Sequence, residues 1–234
     1  MTHRHADIGQ RNAAGQPLNT LEPGFAPASH TVIAASPAAL IGIFEPDVQL
    51  AIWQRPVDPV IADYLDAARN GLGRGLRTRL APGDKPDLAA LPAHAGRDAL
   101  ARDMGLLAEL LGDLLDCPGI GLRLEVISGA MCPRLHVDRV GIRLLCTYRG
   151  PGTEWIHDAG TDRSKLGRGA GGQPDEHSGL FAADTRVHAV SGFSVALLKG
   201  SLWQGNDARG IIHRSPALPA ESLPRVVLAA DGVW

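Results

Sequence analysis

The period of the apolar pattern changes once along this 234-residue chain, and that change restricts the fold more than any other feature. Leu100, Met104, Leu107, Leu111 and Leu114 recur every three or four residues, as in a helix with one apolar face. Cys117-Pro118-Gly119 ends that pattern. From Gly121 the period falls to two. Leu122, Leu124 and Val126 alternate with Arg123, Glu125 and Ile127; Ile142, Leu144 and Cys146 alternate with Arg143, Leu145 and Thr147. Further strand candidates are 153–156, 186–190, 193–198, 210–213 and 225–230. Many short strands after helices predict an α+β chain that ends in a β-sandwich or barrel.

Upstream, residues 48–53 read as a strand. Asp58-Pro59 supplies an N-cap and a first-turn proline, opening a helix to about Asn70. Residues 71–95 are rich in Gly and Pro and predict irregular structure. Residues 1–30 lack periodicity and are expected to form a flexible extension. The remaining 31–234 form one α+β domain, with a helical part over 31–119 and a β core over 120–234. Within the core, 158–179 has no core-forming pattern and reads either as a mobile functional loop or as disorder. Its glycines lack the strand-Gly-Lys-helix order of a phosphate loop.

Composition excludes several function classes. Aromatic residues are 4% of the chain and the net charge is −2, so neither stacking platforms nor a basic excess for nucleic acid exists. No apolar run approaches the roughly 20 residues of a membrane span. Cys117, Cys132 and Cys146 are odd in number and form no CxxC, which argues for a reducing compartment. The N-terminus lacks the basic-then-apolar order of a signal peptide, and the expectation is a cytoplasmic protein. Nothing in the pattern points to an oligomeric state.

The chemistry-bearing stretch is Cys132-Pro133-Arg134-Leu135-His136-Val137-Asp138, between two predicted strands. On an extended link, His136 and Asp138 fall on the same side of the chain. With the distant His213 they offer two imidazoles and a carboxylate, the facial set of non-haem Fe(II) sites. His5-Ala6-Asp7 repeats the spacing but has no scaffold to hold it. Other readings are open for each residue. His136 and Asp138 could bond each other or the backbone, and His213, before Arg214-Ser215-Pro216, could be a turn residue. Cys132 and Cys146 could join His136 in a sulfur-containing zinc site, although Cys146 shares a face with Ile142 and Leu144. No Gly-x-Ser-x-Gly elbow supports a serine hydrolase.

The order of elements from residue 120 to 230 resembles the Fe(II)/2-oxoglutarate-dependent dioxygenases. It comprises His136-x-Asp138, a strand to Tyr148, the turn Gly150-Pro151-Gly152, the long loop, His213, and Arg225 opening the last strand. The resemblance implies a double-stranded β-helix of jelly-roll or cupin type with the N-terminal helices packed on it. It implies His136, Asp138 and His213 as the metal triad of an enzyme that hydroxylates or demethylates its substrate. It implies Arg225 as anchor for the far carboxylate of 2-oxoglutarate, a role that suits the fixed fork of a guanidinium. Arg214 and Arg143 are rivals for that anchor, and Arg225 could instead pair with Glu221. Tyr148 could hydrogen-bond the bound acid or serve as core. A metal-binding cupin that holds Zn(II) without oxygenase turnover uses the same three ligands, and a β-domain without metal is a third reading.

The wording Cys132-Pro133-Arg134-x-His136-x-Asp138 with Gly150-Pro151-Gly152-Thr153-Glu154-Trp155 also resembles an uncharacterised bacterial family over most of the chain. That resemblance implies a role in zinc homeostasis under metal stress and names no reaction.

Overall fold

A computed structural model of the chain describes residues 30–81, 83–129, 131–206, 209–219 and 221–234. The expected flexible extension, apart from His30, lies outside these residues. The architecture is mixed α+β with a core made mostly of sheet. Helix α1 (Pro59–Ala68) starts where Asp58 accepts hydrogen bonds from the Val60 and Ile61 N–H groups. It buries Ile61, Tyr64, Leu65 and Ala68 on one stripe. Helix α2 (Arg97–Leu115) buries Leu100, Met104, Leu107 and Leu111 and ends with Asp116 in the left-handed conformation, φ 47°. Its N-cap, Gly96, has φ 94°, and a Cβ there would meet Val60 O at 2.5 Å. Only glycine lets the two helices approach that closely.

Seven strands form the larger sheet: β1 (Thr31–Ala34), β2 (Leu50–Trp53), β3 (Gly75–Leu80), β4 (Gly119–Ile127), β5 (Ile142–Arg149), β8 (Val195–Lys199) and β10 (Arg225–Val233). Their order is β1-β2-β8-β5-β10-β4-β3, antiparallel except for the β1–β2 edge. A smaller sheet is built from β6 (Glu154–Ile156), β7 (His188–Ala189) and β9 (Ile212–Arg214), in the order β7-β6-β9. Strand β3 corrects the expectation of irregular structure over 71–95. Its Leu76, Thr78 and Leu80 alternate with exposed Arg77 and Arg79, and it is an edge strand on β4. Charged side chains suit an edge, where they discourage further strand pairing, but they mask the strand within a Gly/Pro-rich composition.

Alternation gives the larger sheet two different faces. Leu122 and Leu124 of β4, Ile142, Leu144 and Cys146 of β5, and Val226, Leu228 and Ala230 of β10 share one core with the apolar stripes of α1 and α2. Truncating a central member such as Leu111 to Ala is worth about 2–5 kcal/mol of stability. The intervening Arg123, Glu125, Arg143, Leu145, Arg225 and Val227 face the other way and line a pocket. Helices thus occupy one face of the sheet and this pocket lies on the opposite one. Behind the pocket, Leu135, Ile156, Leu180 and Ile212 form a small separate core. The 158–179 segment contains three short 3-10 turns, Arg163–Lys165, Gly167–Ala170 and Asp175–His177. Among the described residues, no helix is long and apolar enough to cross a membrane.

Candidate metal centre

His136 lies on the link between β4 and β5 and pairs with His213 of β9 as an isolated antiparallel bridge. Each residue's N–H donates to the other's carbonyl at 3.0 Å. The two rings therefore stand side by side, with centroids 4.5 Å apart. Asp138, two residues on, projects to the same side. Its Oδ1 lies 3.4 Å from His136 Nε2 and its Oδ2 3.4 Å from His213 Nε2. One ligand atom from each residue can be chosen so that all three lie within 4.8 Å of one another. Donors bound to one ion at 2.0–2.2 Å lie roughly 3 Å apart, so the set needs little adjustment to close on a metal.

The imidazoles are oriented from behind. His136 Nδ1 is 2.8 Å from Arg134 O, and His213 Nδ1 is 3.1 Å from Ile211 O. A carbonyl only accepts, so each Nδ1 carries the hydrogen. In the neutral ring, each Nε2 then presents a lone pair toward Asp138. This backing is the usual means of fixing tautomer and ring plane in a ligating histidine. Contact with Asp138 is the main reason that the His136 pKa is raised. Burial pushes the Asp138 carboxyl up, but contacts with His136, His213 and Arg143 outweigh it and hold the group well below the usual carboxylate range. Asp138 is therefore an anion.

Arg143 Nη1 donates to Asp138 Oδ2 at 2.7 Å, while its Nε and Nη2 donate to Asp231 at 2.7 and 2.9 Å. Arg123 donates to the same Asp231 at 2.9 Å. Arg143 is thus committed to two carboxylates and not available as an anchor for a ligand.

Arg225 reaches the pocket from the start of β10 and is 3% exposed. Its Nε donates to Pro151 O at 2.8 Å, and Nη2 donates to Thr147 Oγ1 and Thr153 Oγ1 at 2.9 and 3.0 Å. Among the described residues no carboxylate, Glu221 included, forms an ion pair with it, and Nη1 has no hydrogen-bond partner. Burial without a partner pulls its pKa down to about 10, against a weaker raising influence from Glu125.

The other residues singled out in the sequence fall elsewhere. Arg214 lines the pocket wall, but its charge is committed to Glu154 at 2.7 Å and Glu176 at 2.8 Å. Tyr148 lies on the helix side of β5, where its hydroxyl donates to Asp103 at 2.6 Å. The sulfur-containing zinc set is not brought together. Cys132 is exposed at the pocket, whereas Cys146 is buried on the helix face with its thiol pushed up to about 12 by burial. Sequence reasoning missed Thr147 and Thr153 as holders of Arg225, and Asp175 entirely. Thr147 carried a usable signal, since it alternates on the face of Arg143 and Leu145.

A family model described as "Protein of unknown function (DUF1826)" matches residues 34–231. No curated protein matches the chain. Among solved structures, the chain is similar to a rice dioxygenase for auxin oxidation at 15% identity, covering 87% of this chain and 82% of that one, with a TM-score of 0.47. It is also similar to the Arabidopsis thaliana dioxygenase for auxin oxidation in complex with 2-oxoglutarate (12% identity, 87% and 92% covered, TM-score 0.44). A Pseudomonas putida prolyl-4-hydroxylase is similar at 14% identity, with 84% and 93% covered and a TM-score of 0.42.

Proposed function

Because this chain belongs to the family described as protein of unknown function (DUF1826), whose description names no reaction, we propose a function from the site: a metal-dependent oxygenase of the Fe(II)/2-oxoglutarate type that hydroxylates or demethylates its substrate. The observation that carries this reading is Arg225, a buried guanidinium without a carboxylate partner, in the same pocket as His136, Asp138 and His213. A buried cation is stable only when an anion or several acceptors compensate it, and Nη1 of this one remains open to a ligand carboxylate.

The donor set fits the metal. Two imidazole nitrogens and one carboxylate on one side suit Fe(II) and leave coordination positions for further ligands. When bound, Fe(II) with 2-oxoglutarate and oxygen supplies the oxidising chemistry. The chain's own residues prepare the place for it. The carbonyls behind His136 and His213 accept from Nδ1 and so turn each Nε2 toward the site, and Arg143 holds Asp138 by one oxygen. Thr147, Thr153 and Pro151 hold the Arg225 guanidinium by Nε and Nη2, so that Nη1 is left to meet a carboxylate. Leu145, Val227 and Ala229 give that part of the pocket an apolar wall, which strengthens the charge contact by excluding water. The two sheets would serve as the halves of a double-stranded β-helix.

The test is an anaerobic titration of metal-stripped protein with Fe(II) and with Zn(II), each with and without 2-oxoglutarate. A visible charge-transfer band that needs both Fe(II) and 2-oxoglutarate, and is lost in Arg225→Ala, is the expected result. Absence of the band from Fe(II)-loaded protein overturns the oxygenase reading. Tight Zn(II) binding without a response to 2-oxoglutarate would assign the protein to metal holding instead.

A further inference from the structure

We infer that the Asp175–Glu176 turn is a clamp that braces the two histidine-bearing segments in the arrangement a metal needs, with Asp175 as a positioning residue. The inference rests on the metal-centre reading above. Asp175 is 4% exposed, an unusual place for a carboxylate on a surface segment. Its Oδ1 accepts from Arg134 Nε at 2.6 Å, and its Oδ2 accepts from the Leu135 N–H at 2.6 Å. Both partners immediately precede His136. Arg214, immediately after His213, lies 3.7 Å from Asp175 Oδ2 and donates to Glu176 at 2.8 Å. One turn of the 158–179 segment thus grips the chain beside both ligating histidines.

The grip reaches the imidazole of His136 through a single residue. Arg134 gives its side chain to Asp175 and its carbonyl to His136 Nδ1. Fixing Arg134 fixes the acceptor that sets the tautomer and plane of the ring. The contacts to Asp175 are short and charge-assisted, so they hold more firmly than ordinary loop contacts. Leu180, just beyond the turn, packs with Leu135 and Ile212, each one residue before a ligating histidine. The segment therefore braces the centre with apolar contacts as well as charge. Asp175 touches none of the ligand atoms and acts only through Arg134, Leu135 and Arg214.

The test titrates the full, metal-stripped chain with Co(II), whose visible absorption reports coordination number and geometry. Asp175→Ala is expected to bind Co(II) about 10- to 100-fold more weakly, with an altered spectrum, as outer contacts of metal ligands usually require. Asp175→Asn keeps an acceptor for the Leu135 N–H and should recover most of the affinity. It also serves if the alanine variant does not fold. Leu111→Ala, which destabilises the helix-side core, should keep the wild-type spectrum and affinity, separating positioning from general stability. Wild-type affinity and spectrum in Asp175→Ala, with binding abolished in Asp138→Ala, overturn the clamp and leave the metal centre standing. No Co(II) spectrum from the wild-type chain overturns the metal centre and the clamp together.

Discussion

Arg143 joins Asp138 to Asp231: one guanidinium donates to the candidate metal carboxylate at 2.7 Å and forks onto the second carboxylate at 2.7 and 2.9 Å. Asp231 is on β10 and Arg143 on β5, which are adjacent in the larger sheet. The orientation of Asp138 is therefore inherited from a rigid sheet and not from the link on which it lies. Arg143→Gln should weaken metal binding about 10- to 100-fold without unfolding the protein. A metal titration paired with thermal unfolding measures both.

Asp138→Ala should abolish metal binding while the protein remains folded, because the helix-side core is on the opposite face of the sheet. Metal content after loading and circular dichroism check the two halves of the statement. A variant that retains its metal would remove Asp138 from the ligand set.

Arg225→Ala should weaken 2-oxoglutarate binding about 10- to 100-fold, the worth of one or two charged hydrogen bonds, and leave metal affinity unchanged. Arg225→Lys should restore little of the loss, since a lysine cannot reproduce the fork fixed by Thr147 and Thr153. Calorimetric titration of the metal-loaded variants separates the two effects. Tyr148→Phe, on the helix face, should leave this binding unaltered.

On that helix face, Arg55 donates to both oxygens of Asp103 at 2.6 and 3.1 Å, and Tyr148 donates to the same carboxylate. Asp103→Ala strips the partner from a largely buried guanidinium and from a buried hydroxyl. The expected loss is about 3–5 kcal/mol, read from urea unfolding. A loss below about 1 kcal/mol would mean that the network contributes little.

His30 provides a pH-dependent element away from the pocket. Both of its ring nitrogens are buried without partners, and its ring lies 5.7 Å from that of His157. Burial, reinforced by His157, lowers its pKa to about 4. The unfolded chain, with an ordinary value near 6.5, therefore takes up the proton first as pH falls. The stability associated with neutral His30 is complete above pH 6.5 and is lost progressively as pH falls through about 4. His30→Phe should flatten this part of the dependence. Urea midpoints of the metal-free proteins between pH 7 and pH 4 provide the measurement, and equal slopes would refute it.

Much of the architecture was legible because it depends on period. The stripe from Leu100 to Leu114 and the alternation around Leu122 and Leu144 identify elements from local spacing alone. Strand β3 was not legible because its residues carry edge charges amid glycines and prolines, and only pairing with β4 reveals it. His136, Asp138 and His213 could be named because a ligand set has recognisable residue types. Their convergence within 4.8 Å depends on long-range pairing that no window of sequence displays. Asp175 had no signal whatever: its partners are some forty residues away, and its neighbours resemble ordinary surface.

The main-chain bridge between His136 and His213 makes the centre indivisible. Two hydrogen bonds from backbone to backbone pair the two residues, and the Asp175 turn braces that pairing from the side. A slip of that pairing by one residue would turn a histidine to the far side and bring Leu135 or Val137 opposite its former partner. The arrangement has no half-assembled form to drift through: it keeps its pairing, or the three side chains no longer converge.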